Sequence, residues 1–151
     1  MFGHNKRMFC KFIKKSMTSQ VIYKGELRTL ASHLQSGSTI ETDAPTDNHG
    51  MGARFSPTDL IGTSLASCML TTMAIRAKDL EDRLNGVSIE TEKFMQANPR
   101  RISRLDIHFT WPEGVSFTED ERRRLDEIAL SCPVKESIHP DITLNINYNW
   151  L

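Results

Sequence analysis

Residues 56–84, SPTDLIGTSLASCMLTTMAIRAKDLEDRL, carry the strongest helical signal in the chain, and their reading decides the fold class. Ser56 suits a helix cap, Pro57 the first helical position, and Asp59 the acid-favouring first turn. The pattern then runs to Leu84, where Asn85-Gly86 provides a stop. Its apolar part, residues 60–75, is interrupted by Ser and Thr and meets Arg76 and Lys78, whereas a membrane span needs about 20 apolar residues. The stretch therefore reads as a buried helix of a soluble domain, with Gly62, Ala66 and Ala74 permitting close packing. On a 3.6-residue period Cys68 shares its face with Ile61, Leu65, Thr72 and Ile75, which is read as the buried stripe.

Around this helix the chain reads as strands. Residues 19–27 form a strand interrupted by Gly25, residues 33–37 a turn and residues 38–42 a second strand. Residues 43–55, DAPTDNHGMGARF, make a polar loop of a length that is usually functional or mobile. Beyond the helix, residues 87–92 and 102–109 alternate apolar and polar about a turn at Asn98-Pro99. Thr118 to Glu121 form a capping box for a second helix through Leu125 and Ile128. Cys132 caps a short helix with Pro133 at its first position, and residues 142–148 alternate as a last strand. Adjacent strand pairs argue for antiparallel pairing, so the expected class is α+β, one sheet covered by the long helix.

Composition narrows the function. The 151 residues suit a single domain over residues 19–151, and 19 basic against 19 acidic side chains give no global field for nucleic acid or anionic lipid. Residues 1–18 hold five of the bases and no acid, and read as a basic, disordered extension containing Cys10, with Met17 as an alternative start. The run Arg122-Arg123-Arg124 sits among acids and reads as a salt-bridged helix face. Three cysteines without a CxxC pair fit a reducing, cytoplasmic setting, and the histidines show no zinc spacing, so no zinc site is expected.

The chemistry candidates are the thiols. Cys68, mid-helix, reads alone as packing; Cys132, at a helix N-cap, faces unpaired backbone N–H groups that favour thiolate. If the final turn folds against the long helix, the two would meet as a dithiol able to pass through sulfenic acid to a disulfide. The stretch Phe55 to Leu60, eight residues on to Cys68, then Met69-Leu70-Thr71 and later Cys132-Pro133-Val134, resembles the osmotically inducible protein C family, which includes organic hydroperoxide resistance proteins. Tyr23-Lys24-Gly25, Thr42-Asp43-Ala44-Pro45 and Asn48-His49-Gly50 resemble one of its uncharacterised branches.

That resemblance implies an intertwined homodimer and a thiol peroxidase reducing organic hydroperoxides and hydrogen peroxide. Cys68 would be oxidised, Cys132 would resolve it as a disulfide, and a dithiol or lipoylated protein would restore the pair, without a cofactor. It also implies an Arg beside the first thiolate, here Arg28 with Arg54 as runner-up, oriented by a Glu ten residues before that cysteine. That position is Thr58; the nearest acid is Asp59, turned by about 100° on a helix, which reads equally as part of the helix cap.

Overall fold

The computed structural model describes residues 17–150; residues 1–16 of the expected basic extension, Cys10 among them, lie outside them. The chain divides into two units, one up to Pro57 and the other from Thr58 onward.

The first unit is an antiparallel meander of β1 (Ser19–Gly25), β2 (Arg28–His33) and β3 (Thr39–Asp43), followed by a loop with a 3-10 turn at Thr46–Asn48. The residue pattern predicts two strands here, over 19–27 and 38–42. The third was hidden because Gly25, Glu26 and Leu27 all take positive φ (87°, 50° and 59°), reversing the chain inside what reads as one strand. The register pairs Val21 with Ala31 and Ala31 with Ile40, so Val21, Tyr23 and Ile40 lie on one face, and all three are exposed.

The second unit begins with α1 (Asp59–Arg76), a 3-10 turn at Lys78–Leu80 and α2 (Glu81–Leu84). The helix expected to run unbroken to Leu84 stops at Ala77, whose backbone (φ −111°, ψ 57°) leaves the helical region. The axis turns by 99° there, which seats Ala77 and Leu80 in the core. The start is also later than expected: Thr58, not Ser56, is the N-cap, and its side chain makes no capping bond. The buried stripe is Gly62, Leu65, Ala66, Met69, Thr72 and Met73; Ile61 and Ile75, expected with Cys68 on that stripe, are exposed. The helix is apolar on more than one side, so its pattern did not single out the buried face.

A second sheet, β4 (Ser88–Ala97), β5 (Arg100–Thr110) and β6 (Thr143–Asn147), supports that helix. The expected single sheet is therefore two. β4 and β5 are antiparallel as expected, but β6 runs parallel to β5, because α3 (Glu119–Leu130) and α4 (Pro133–Ser137) lie between them as a crossover. The capping box holds: Glu121 N–H donates to Thr118 Oγ1 and Thr118 N–H to Glu121 Oε2. Leu65, Met69 and Met73 of α1 pack with Leu105, Ile107 and Phe109 of β5 and Leu125 of α3. Gly62 lets α1 approach closely: a Cβ there would meet Thr91 Oγ1 at 3.2 Å and Leu105 Cδ2 at 3.6 Å. Arg123 pairs with Asp120 and Arg124 with Asp79, the salt-bridged face expected of the arginine run. Among the described residues no single helix is long and apolar enough to cross a membrane.

Candidate functional site

The second unit brings Cys68 and Cys132 together. Cys68 sits midway along α1, half-buried, with its sulfur 3.9 Å from the Thr72 hydroxyl one turn on. Cys132 arrives from the other side as the N-cap of α4, in extended conformation (φ −72°, ψ 146°) with Pro133 following. Its sulfur accepts the Lys135 N–H at 3.4 Å, and Cys68 lies close enough to act on its thiol. Both are free thiols.

The expectation that the cap position makes Cys132 the thiolate is overturned. Cys132 is fully buried, and desolvation pushes its thiol above the usual value, outweighing the opposing Lys135 N–H; the adjacent Cys68 pushes it further up. A short helix offers only a few N–H dipoles, which do not offset loss of water around a full charge. Cys68 is thus the more accessible sulfur and Cys132 the sheltered one.

Arg28 and Arg54 belong to the first unit. Arg28 is gripped side-on by Asp43: Nε donates to Oδ1 at 2.6 Å and Nη2 to Oδ2 at 2.8 Å. Asp43 is 2% exposed and also accepts the Ala53 N–H at 3.1 Å. The Arg28 bond holds its carboxyl below the usual range, against the opposing effect of burial, and the Ala53 amide adds to that. Arg54 instead pairs with the exposed Glu41. Asp59 opens α1 and forms an ion pair with Lys93 of β4, and the carboxylate paired with Arg28 inside the first unit is Asp43. No local motif marks Asp43 or Lys93 as a partner of these groups. Asp43 became visible only through register, since it pairs with Arg28 across β2 and β3. Lys93 pairs with buried Leu105 on the helix-facing row, where a lysine breaks the apolar pattern. Among the described residues no group of three or more His, Cys, Asp or Glu is placed to hold a metal ion.

The family model for OsmC-like protein matches residues 49–147, a span containing both cysteines. A crystal structure from Psychrobacter arcticus, of a protein named for osmotic stress induction and detoxification response, is 48% identical, covers 87% of this chain and 94% of its own, and superimposes with a TM-score of 0.81. An organic hydroperoxide resistance protein from Legionella pneumophila has 19% identity, covering 87% and 96% of the two chains, with a TM-score of 0.64. A Vibrio cholerae structure named for organic hydroperoxide resistance, with captopril bound in one active site, has 16% identity, 90% and 94% coverage and a TM-score of 0.66. At these last two identities the likeness shows the fold. No curated protein matches at a significant level. With residues 49–147 matched by the family model and 48% identity over 87% of its length to the Psychrobacter arcticus protein, the chain belongs to the OsmC-like protein family.

Proposed function

We propose that this protein is a thiol-dependent peroxidase that reduces organic hydroperoxides through Cys68 and Cys132. The observation that carries this reading is the placement of one half-buried thiol beside one fully buried thiol. The Cys68 thiolate attacks the terminal oxygen of the hydroperoxide; the O–O bond breaks, the alcohol leaves after taking a proton, and Cys68 becomes a sulfenic acid. Cys132 then attacks that sulfur as its thiol gives up its proton. Its proton goes to the departing hydroxyl, so the products are a disulfide and water. A dithiol, free or on a lipoylated protein, restores both thiols and is itself oxidised to a disulfide.

Arg28 is assigned to the Cys68 thiolate on the family resemblance, with Asp43 in place of the missing Glu at Thr58. Asp43 uses Nε and Nη2 of the guanidinium, which leaves Nη1 for a second anion. The reading includes a homodimer in the cytoplasm. Exposed Val21, Tyr23 and Ile40 on one sheet face, and exposed Ile61 and Ile75 on α1, are apolar surface of the kind a second copy buries.

The second reading is a non-catalytic redox-sensing or ligand-binding relative, favoured by Thr58 at the position of the peroxidase Glu. Steady-state reduction of cumene hydroperoxide with dithiothreitol or a lipoylated reductant separates the two. The peroxidase reading expects turnover that Cys68→Ser abolishes and Cys132→Ser cripples. No turnover in the wild type, or unchanged turnover in Cys68→Ser, supports the relative.

A further inference from the structure

Cys68 and Cys132 reach each other from separate helices, so closing a bond between them depends on what ties those helices together. α1 carries Cys68 and ends at Arg76; α3 ends at Leu130, and Ser131 then directly precedes Cys132. At that junction Arg76 donates through Nη1 to Ser131 Oγ at 2.6 Å. The Ser131 hydroxyl donates onward to the Ile128 carbonyl at 2.8 Å, and the Cys132 N–H to the Ala129 carbonyl at 3.2 Å. A side chain of the Cys68 helix thus holds the residue covalently joined to Cys132. A second guanidinium runs the opposite way: Arg124 of α3 donates to both Asp79 oxygens at 2.8 Å and to the Arg76 carbonyl at 3.3 Å. That clamp fixes the backbone at the end of α1 independently of the Arg76 side chain, which makes the Arg76–Ser131 bond separable from helix packing.

We propose that Arg76 is a positioning residue for the thiol pair, holding Cys132 in register with Cys68 for disulfide closure. The inference rests on the reading of Cys68 and Cys132 as a redox pair. Arg76 touches neither sulfur. Its effect is on the effective concentration of one thiol at the other, a quantity that falls steeply when reacting atoms are displaced by about 1 Å. The bond itself is exposed, and exposed polar contacts add little to global stability. Losing it therefore alters the chemistry of the pair more than the fold.

The test is a glutathione redox equilibrium, in which the protein dithiol and oxidised glutathione exchange with the protein disulfide and two reduced glutathiones. Wild type, Arg76→Met, Arg76→Lys and Ser131→Ala are equilibrated, quenched, alkylated and assayed by mass for the Cys68–Cys132 disulfide. Arg76→Met and Ser131→Ala are expected to shift the equilibrium toward dithiol about threefold, with Arg76→Lys recovering most of the loss. Melting temperatures are expected to stay within about 3 °C of wild type. In parallel, one equivalent of cumene hydroperoxide in the presence of dimedone gives more labelled Cys68 in Arg76→Met, because the sulfenic acid is captured more slowly.

An equilibrium in Arg76→Met equal to wild type overturns the proposal, as does an Arg76→Lys variant that falls equally far. A wild type that forms no disulfide overturns it too. Because the equilibrium uses no peroxide, a protein that forms the disulfide but turns over no hydroperoxide defeats only the peroxidase reading.

Discussion

Leu105→Ala probes the packing that supports the Cys68 helix. Leu105 lies on β5 with no exposed surface, and its Cδ2 stands 3.6 Å from where a Cβ on Gly62 would be, directly beneath the first turns of α1. The substitution removes three carbons, worth roughly 2.5 kcal/mol at about 0.8 kcal/mol per buried methylene. The void is bordered by α1 and the sheet and closes only in part, adding about 1 kcal/mol of lost contact. The expected loss is therefore about 3–4 kcal/mol, equivalent to a fall in Tm of about 10 °C for a chain of this size. Urea unfolding followed by tryptophan fluorescence reads it at fixed protein concentration. Trp111 and Trp150 both report, since they stack at 4.6 Å in the aromatic cluster that also includes Phe109 of β5. Leu105→Met, which conserves volume, is expected to cost less than about 1.5 kcal/mol. A loss below about 1 kcal/mol for Leu105→Ala, with an unchanged m-value, would refute the close packing of α1 on β5.

Further predictions concern charge and hydrogen bonding. Glu121 is lowered from 4.5 to about 2, first by its bond with Arg83 and then by the Thr118 N–H. A depressed folded value means its stabilisation is fully present above pH 4.5 and lost as pH falls toward 2, so Glu121→Gln should flatten that part of the acid unfolding curve; an unaltered acid limb would contradict this. Tyr148 donates to Asp126 at 2.6 Å, with its hydroxyl raised by burial and by that carboxylate. Tyr148→Phe should cost about 1–2 kcal/mol in urea titration, and a neutral result would mean the bond contributes nothing. On the proposed function, Asp43→Asn loosens Arg28 and should slow iodoacetamide alkylation of Cys68 at pH 7 as much as Arg28→Ala does. Alkylation at the wild-type rate in both variants would remove Arg28 from the thiolate.

What could be read in the sequence were features fixed by local chemistry. The Thr118 box, Pro133 after Cys132 and the alternation along β4 and β5 each specify an element within a few residues, and each stands in the structure. Features set by tertiary competition were not visible. The break at Ala77 follows from seating Leu80 in the core, although residues 76–84 read locally as continuing helix. The turn at residues 25–27 depends on two non-glycine residues with positive φ, which no turn motif announces. The site divides the same way. Two cysteines on helices were legible as candidates, and their meeting depended on the crossover through α3 and α4. Asp43 was hidden because its role depends on strand register rather than on its neighbours in sequence. The Cys132 thiol is pushed up rather than down because its burial, a tertiary property, outweighs its cap position.

Peptide mapping of the protein after treatment with one equivalent of cumene hydroperoxide shows whether the two thiols act as a pair. A crosslink joining the Cys68 and Cys132 peptides is expected, lost in Cys132→Ser and replaced there by one added oxygen on Cys68. Two unmodified thiols after peroxide, or oxygen accumulating on Cys132 instead, would contradict it.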